Sequence, residues 1–215
     1  MTPFATLDAV ACPLPLANVD TDQLVPARFL KRPRAEGYGG FLLHDLRFGA
    51  DGKGRSTLPL DDPRYAGASI LVARRNFGCG SSREGAVYAL ADFGISCVLA
   101  PSFGDIFAAN CVMNGLLPAR LSEADIEALL ASPHLLAGGT IRVDLERQQV
   151  LCGNQAFDFS IDAFRKTKLV NGWDDIDITT SHAADIERFT TRDALLRPWA
   201  APDEREPTES REASP

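Results

Sequence analysis

Two short apolar runs on either side of a helical pattern constrain the fold of this chain more than any other feature. The runs ASILVARRN and ISCVLAP have the length and composition of buried strands. Between them, REGAVYALADFG has helical spacing and ends at Gly94, a residue suited to a helix C-terminus. A strand, a helix and a second strand in this order predict a βαβ unit and therefore an α/β domain.

The turn NFGCGSSREG joins the first of these strands to the helix. Gly78 and Gly80 let the backbone bend tightly, so that Ser81 or Ser82 is predicted to be the N-cap of the helix. Unpaired backbone N–H groups at a helix N-terminus bind anions, and the guanidinium of Arg83 suits a carboxylate or a phosphate. Two interpretations stand side by side: an anion site, or a well-capped helix whose Arg83 faces solvent.

Several familiar kinds of site do not fit this turn. A dinucleotide-binding fold requires GxGxxG, whereas Arg83 stands at the third glycine and no acidic residue ends the second strand. The sequence has neither the GxxxxGK motif of a phosphate loop nor the GxSxG motif of hydrolases. Cys79 lies where thiols are activated in some enzymes, but no base accompanies it, so a nucleophilic cysteine is disfavoured.

The rest of the sequence adds helices, strands and a terminal segment. SFGDIFAANCVMNG is predicted to be a helix that a capping box of Ser102 and Asp105 begins and Gly115 ends, and LSEADIEALLAS repeats this pattern. TIRVDLE, QQVLCGN and QAFDFSID predict antiparallel strands, and FRKTKLVNG and SHAADIERFTTRDALL predict closing helices. We expect one domain over 1–200, a mobile loop at RAEGYGG and a disordered acidic tail over 201–215.

Composition limits the classes of function. The formal net charge of −7 argues against general affinity for nucleic acid, and no apolar run approaches a membrane span. The N-terminus lacks a basic region before its apolar part, so a cytoplasmic location is expected. The five cysteines are scattered, which predicts neither disulfides nor a metal site on this chain. Basic residues gather between Arg28 and Arg55, either as a solvated face or as a site for a small anion.

Five blocks of the sequence, taken in order, resemble one protein family. They are NVDTDQLVPARFL, YAGASILVARRN, NFGCGSSRE, APSFGDIFAANCVMNGLLP and FRKTKLVNGWDDIDIT, and the similarity extends over residues 5–190. NFGCGSSRE is similar to the signature of the swivelling domain of the aconitase superfamily. Together the blocks resemble the small subunits of 3-isopropylmalate dehydratase, the isomerase of leucine biosynthesis. The resemblance implies an α/β fold with three layers, β/β/α, of the aconitase C-terminal type.

The resemblance also implies roles for residues of the two loops. Ser81 is expected to be the catalytic base that removes a proton from the carbon beside a carboxylate. Ser82 and Arg83 are expected to bind that carboxylate. Thr21 and Asp22 match the active-site Thr-Asp pair of the family, and Asp22 is expected to take part in catalysis by orienting the proton-transfer network.

The segment ARFLKR corresponds to the part of the family that selects the variable group of the substrate. Arg28, Phe29 and Leu30 are expected to contact the substrate, and the two apolar side chains suit an isopropyl group. Relatives that accept a longer acid place a basic residue in this segment to pair a distal carboxylate. Lys31 and Arg32 therefore leave the preferred acid open.

Members of this family use a [4Fe-4S] cluster that three cysteines of a separate large subunit hold. The resemblance implies that this chain binds no cofactor itself and acts on a small hydroxy acid together with the large subunit, in a heterodimer or a heterotetramer. Gly85 stands where many relatives have histidine, which keeps a related hydro-lyase acting on citramalate or a methylated malate as an alternative. A non-catalytic anion-binding domain is a third hypothesis.

Overall fold

The structure is a computed structural model, and it describes residues 1–49, 51–54 and 58–200. The acidic segment 201–215, which the sequence predicts to be disordered, lies outside the described residues. Within the described residues, no helix is both long enough and apolar enough to cross a membrane. The chain divides into two compact units, Met1–Asp174 and Asp175–Pro215. The single domain expected over 1–200 stays a prediction.

Seven strands of the first unit form one sheet. They are β1 (Thr6–Leu14), β2 (Ile70–Ala73), β3 (Cys97–Ala100), β4 (Leu117–Arg120), β5 (Thr140–Asp144), β6 (Gln149–Cys152) and β7 (Gln155–Asp158). Their order is β4-β3-β2-β1-β5-β6-β7. The first four strands pair in parallel, and β5, β6 and β7 continue the sheet antiparallel. The predicted βαβ unit and the predicted antiparallel strands are both confirmed.

One long strand divides the sheet into two layers. Residues 6–10 of β1 pair with β5, whereas residues 11–14 pair with β2. Because the two halves of the strand have different neighbours, the antiparallel strands lie over one face of the parallel strands. Ile70 and Val72 of β2 share a core with Val143 of β5. This arrangement supplies the two β layers that the resemblance implies.

Helices surround the two β layers, and two of them cover the other face of the parallel strands. Those of the first unit's described residues are α1 (Thr21–Leu24), α2 (His44–Arg47), α3 (Gly85–Phe93), α4 (Asp105–Met113), α5 (Glu123–Leu130), α6 (Pro133–Leu136) and α7 (Ala163–Asn171). Leu71 and Ala73 share a second core with Val87 and Leu90 of α3 and with Phe107 of α4. Since alternate side chains of a strand point to opposite faces, β2 is buried on both sides. The predicted three-layer β/β/α fold is confirmed.

Short 3-10 turns connect these elements. They span Ala27–Phe29, Arg34–Glu36, Gly39–Phe41, Pro59–Asp61 and Pro63–Tyr65. Two of them lie in RAEGYGG, where the sequence predicts a mobile loop. A side chain at Gly39 would place its Cβ 2.6 Å from the carbonyl oxygen of Asp92, and the neighbouring Tyr38 is buried. The glycine therefore allows a close approach to α3, and the segment is packed where a loose loop was expected.

The helix ends follow the sequence prediction at most positions. Gly94 ends α3 in the left-handed conformation, and Ser122 caps α5 by accepting the N–H of Asp125 at 3.0 Å. The predicted capping box at Ser102 is wrong, because Gly104 is the N-cap of α4. The Ser102 hydroxyl instead accepts the backbone N–H of Asn76 at 2.8 Å. A neighbouring loop competes for the side chain that the local sequence assigns to the cap.

The second unit is helical in its described part. It contains α8 (Asp175–Ser181), α9 (Ala183–Leu196) and a 3-10 turn at Pro198–Ala200. The helix predicted for SHAADIERFTTRDALL is confirmed in α9, and the one predicted for FRKTKLVNG is confirmed in α7 of the first unit.

Candidate active site

Three loops meet at the carboxyl ends of β1, β2 and β3. This edge of a parallel sheet is the usual position of binding sites in α/β proteins. Backbone hydrogen bonds join the loops: Gly78 N–H donates to the Val19 carbonyl at 2.7 Å, and Thr21 N–H donates to the Cys79 carbonyl at 2.9 Å. Phe77 N–H donates to the Ser102 carbonyl at 3.0 Å. The loops around Thr21 and Ser81 are therefore one backbone-bonded structure.

Gly78 is the residue that lets these loops approach. Its φ is +70°, and a Cβ there would lie 2.2 Å from Cγ of the Phe107 ring. The carbonyl of Gly78 is itself in close contact with Gly104, where a Cβ would lie 2.5 Å from the oxygen. Gly78 of the NFGCGSSREG motif is therefore needed for close packing against the first turn of α4.

Gly78→Ala is expected to destabilise the chain by more than about 3 kcal/mol, because a left-handed backbone and a steric overlap with a buried ring add together. The measurement is the free energy of unfolding in urea. Gly67→Ala is the matched control, since its φ of +73° is similar but nothing lies within 4 Å of the added Cβ. We expect the control to lose about 1 kcal/mol. Equal losses in the two variants would contradict the packing role.

Ser81 faces Thr21 across the two loops. The two hydroxyl oxygens are 2.8 Å apart, and Thr21 Oγ1 also accepts the backbone N–H of Ser81 at 3.1 Å. Thr21 is 1% exposed, whereas Ser81 is partly exposed. The prediction that Ser81 or Ser82 caps α3 is wrong, because the helix begins later, with Glu84 at the N-cap position. The side chain of Ser81 is held by a partner 60 residues away in sequence.

Backbone donors follow Ser81 directly. Within the described residues, the N–H groups of 82–85 have no hydrogen-bond acceptor in the chain. Ser82 is exposed, and its carbonyl accepts the side-chain N–H of Asn110 at 3.3 Å. Unpaired N–H groups at the start of a helix attract an anion. The anion-site interpretation of the turn therefore has donors to support it.

Arg83 stands beside these donors. Its Nη1 donates to Oδ1 of Asp22, so the guanidinium turns toward the Thr21 loop and is only partly exposed. This contact brings Asp22 to the same side of the loops as Arg83. Asp20, in contrast, caps α1 by accepting the N–H of Gln23 at 2.7 Å. In NVDTD, Asp20 therefore serves as the helix cap, and the side chains of Thr21 and Asp22 contact Ser81 and Arg83.

Arg28 and Phe29 lie in the 3-10 turn that follows α1, and Leu30 comes directly after this turn. Arg28 Nη1 donates to Oδ2 of Asp45 at 2.8 Å, and this guanidinium holds the pKa of the Asp45 carboxyl well below its usual range. Phe29 stacks on Phe41, with ring centroids 4.3 Å apart. Leu30 packs against the start of α3. Leu30 is therefore placed at the start of α3 and Phe29 beside Phe41, whereas Arg28 is already paired.

Sequence reasoning missed two asparagines that support the serine turn. Asn110 bonds the carbonyl of Ser82, and Asn114 donates to Oε1 of Glu84 at 2.9 Å. Both project from α4, four residues apart, which places them on the same side of the helix. The available signal is the pair of asparagines in ANCVMNG, because asparagine is unfavourable inside a helix unless its side chain has a partner.

The cysteines do not gather into a metal site. Cys79 is partly exposed in the serine turn, whereas Cys12, Cys97, Cys111 and Cys152 are buried. Burial, with the charges of Asp62 and Asp61, raises the pKa of Cys12 to about 12. No cluster of three or more histidine, cysteine or acidic side chains with metal-binding geometry occurs in the described part of the chain. The thiols therefore offer no ligand set to an iron–sulfur cluster on this chain.

Comparison with known proteins decides the family. The model of the aconitase C-terminal domain matches residues 1–124. A curated relative from Rhodospirillum centenum is 44% identical over 201 residues, which cover 93% of this chain and 99% of the relative. One from Caulobacter vibrioides is 46% identical over 200 residues, covering 93% and 98%. Both are named 3-isopropylmalate dehydratase small subunit.

The chain belongs to this family of dehydratase small subunits. A crystal structure of 3-isopropylmalate dehydratase from Methanocaldococcus jannaschii agrees with it in fold, with a TM-score of 0.61 and 22% identity. That comparison covers 85% of this chain and 99% of the other. At this identity the likeness concerns the fold alone. The family resemblance of the five sequence blocks is confirmed, and so is the expectation of a hydro-lyase of the aconitase family.

Proposed function

We propose that this chain interconverts 2-isopropylmalate and 3-isopropylmalate in leucine biosynthesis by removal and readdition of water, acting as the small subunit of the enzyme. The observation that carries this proposal is the hydroxyl pair of Thr21 and Ser81, 2.8 Å apart at the mouth of a turn rich in unpaired N–H donors. Family membership supports the reaction. The residue roles are those that the family resemblance implies, and the contacts of the described residues support them.

Ser81 is the base in this proposal. It takes the proton from the carbon beside a carboxylate while the hydroxyl leaves the neighbouring carbon, so that a carbon–carbon double bond forms. Return of the proton and of the hydroxyl to the double bond, each to the other carbon, gives the isomer. A serine hydroxyl is too weakly acidic to ionise unaided at neutral pH, and its alkoxide therefore needs hydrogen-bond donors.

Thr21 is placed to stabilise that alkoxide. Its oxygen already accepts the N–H of Ser81, so the single hydroxyl proton of Thr21 remains available to donate. Either hydroxyl can donate while both are protonated. Once Ser81 has lost its proton, it can only accept, and Thr21 becomes the donor. Burial of Thr21 strengthens this bond, because water does not compete for it.

The substrate carboxylate binds at the N–H groups of 82–85 and the guanidinium of Arg83 in this proposal. The ion pair with Asp22 uses Nη1, and a guanidinium has further donors along its other edge that suit a carboxylate in a bidentate manner. Asp22 orients Arg83 before the substrate arrives and belongs to the proton-transfer network. Ser82, which is exposed, adds a hydroxyl to the same anion site.

The segment after α1 favours an apolar substituent on the substrate. Leu30 presents carbon atoms next to the α3 terminus and Phe29 adds an apolar ring in the preceding turn, whereas the guanidinium of Arg28 is neutralised by Asp45. Arg32 is likewise paired, with Glu36 at 3.2 Å. An isopropyl group needs no counter-ion, while a distal carboxylate does. These two pairings favour isopropylmalate over an acid with a second distal charge, whereas the exposed Lys31 is the cation of the segment that such a charge would use.

The large subunit completes the site in this proposal. A [4Fe-4S] cluster held there supplies a Lewis acid for the departing hydroxyl. This chain contributes the base and the carboxylate site, in a heterodimer or a heterotetramer. The scattered, mostly buried cysteines of the chain support this division.

The test is reconstitution with the large subunit and its cluster under anaerobic conditions. We expect the complex to interconvert the two isopropylmalates and the isolated chain to be colourless, iron-free and inactive. Turnover of citramalate without turnover of isopropylmalate would instead support the related hydro-lyase. Binding of hydroxy acids with no turnover in the complex would support an anion-binding domain. Stoichiometric iron on the isolated chain would contradict the division between the subunits.

A further inference from the structure

We infer that Tyr38 is a positioning residue for the segment 27–32, and that Gly85 supplies the space in which Leu30 of this segment packs. The inference rests on the proposed function, because it assigns to this segment the contact with the alkyl branch of the substrate. Tyr38 itself does not touch the anion site. It acts through Leu30, which it holds at the start of α3.

The hydroxyl of Tyr38 makes a hydrogen bond to the backbone of this segment. It donates to the carbonyl of Arg32 at 2.9 Å, and the carbonyls of Leu30 and Phe29 lie 3.4 and 3.5 Å away. The Phe29 carbonyl also accepts the N–H of Arg32 at 2.9 Å, whereas no backbone donor of the described residues reaches the carbonyls of Leu30 and Arg32. A buried hydroxyl that donates to the Arg32 carbonyl fixes the path of the backbone there.

Tyr38 is in turn fixed to α3. Its backbone N–H donates to Oδ2 of Asp92 at 3.0 Å, and its ring packs edge-on against Tyr88 of the same helix, with centroids 5.9 Å apart. Phe41 packs edge-on against Tyr38 and stacks on Phe29. The rings form a continuous path from α3 to the segment. A change at the Tyr38 hydroxyl therefore affects the segment without removing the core.

Gly85 leaves the space in which the side chain of Leu30 packs. A Cβ at this position would lie 3.0 Å from Cδ2 of Leu30 and 3.4 Å from Cε1 of Tyr38. The φ of Gly85 is not in the left-handed region, so the backbone itself tolerates other residues. An added Cβ would instead force the end of the Leu30 side chain to shift by a few tenths of an ångström. Because Gly85 comes two residues after Arg83, Leu30 reaches the same end of α3 as the carboxylate site.

This arrangement predicts an effect on one part of the substrate only. Malate has the two carboxylates and the hydroxyl of 3-isopropylmalate but lacks the isopropyl branch. Displacing Leu30 removes apolar contact with the branch and leaves the carboxylate site in place. Misplaced apolar contacts change substrate discrimination by about tenfold or more. A general loosening of the fold would weaken both acids alike.

The experiment compares Tyr38→Phe and Gly85→Ala in the reconstituted complex. We expect each variant to raise KM for 3-isopropylmalate about tenfold. In Tyr38→Phe, which leaves the carboxylate site untouched, kcat and the inhibition constant of malate should change less than about twofold. Tyr65→Phe is the matched control for the hydroxyl, since Tyr65 is equally buried and donates to the Leu136 carbonyl at 3.2 Å. Gly40→Ala is the control for the added methyl, which meets nothing within 4 Å. Both controls should behave as the wild type.

Parallel weakening of both acids, a fall in kcat, or an unchanged KM in Tyr38→Phe would overturn the inference, as would an unchanged KM in Gly85→Ala. Trypsin cleavage after Lys31 in the isolated full chain gives a readout that does not depend on activity. Tyr38→Phe should accelerate that cleavage and Tyr65→Phe should not; equal rates would overturn the positioning role. If the wild-type complex fails to interconvert isopropylmalates, the proposed function fails, and the cleavage rates still decide whether Tyr38 holds the segment.

Discussion

Replacement of Ser81 by alanine is expected to lower kcat by a factor of roughly 10²–10⁴, the usual contribution of a general base. The cause is loss of the oxygen that lies 2.8 Å from Thr21 Oγ1 and takes the proton in the proposed reaction. Because Ser81 is partly exposed and the Thr21 hydroxyl still accepts the backbone N–H of residue 81 in the variant, assembly with the large subunit should persist. Steady-state kinetics of the reconstituted complex, with size-exclusion chromatography to verify assembly, provide the measurement.

Variants at Thr21 test the hydrogen bond that the hydroxyl of Ser81 makes to this residue. Thr21→Val keeps the shape but removes the donor, and we expect a fall in kcat of about 100-fold, as for one donor of an oxyanion site. Thr21→Ser keeps the hydroxyl and is the matched control, with activity within about tenfold of the wild type. The valine variant also leaves the N–H of Ser81 without its acceptor, which costs about 1–3 kcal/mol of stability.

Full activity in Ser81→Ala would exclude Ser81 as the base.

Arg83→Lys is expected to raise KM about 100-fold with a smaller effect on kcat. Lysine keeps the charge but loses the planar pair of donors that binds a carboxylate at two points. The matched control is Arg142→Lys, because Arg142 also pairs with an aspartate, Asp8, but lies between β1 and β5 away from the serine turn. The control should leave both constants unchanged.

The measurement is the dependence of rate on substrate concentration in the reconstituted complex, together with inhibition by malate. Weaker malate inhibition in Arg83→Lys would place the defect at the carboxylate site. A normal KM in this variant would contradict the role of Arg83. A fall in kcat alone would shift its role from binding to the chemical step.

Local patterns were enough to predict most of the secondary structure. The βαβ unit follows from apolar runs and helical spacing, and Gly94 and Ser122 mark helix ends by their own backbone and side-chain chemistry. The two failures concern side chains whose partners are distant in sequence. Ser102 bonds Asn76, and Ser81 bonds Thr21, so neither caps the helix that follows it.

The motif residues of the site could be selected in advance through the family resemblance, but their geometry could not. Nothing near Arg83 in sequence indicates that Asp22 pairs with it, and nothing near Leu30 indicates that Tyr38 and Gly85 position it. Such contacts join loops that are separated by many residues. They form because the parallel strands bring their carboxyl ends to one edge of the sheet.

The sequence by itself determined the strands, the helices, the glycine–serine turn and the family, because periodicity, turn chemistry and motif order are local properties of the chain. Only the tertiary structure decided that the hydroxyl of Ser81 contacts that of Thr21 and that Arg83 pairs with Asp22. It also decided which residue holds the segment 27–32. The physical reason lies in the split pairing of β1, which sets the layers, and in backbone bonds between loops, which bring Thr21 to Ser81. Contacts between residues so far apart in sequence form only in the packed fold, where the side chains of one loop are held by residues of another.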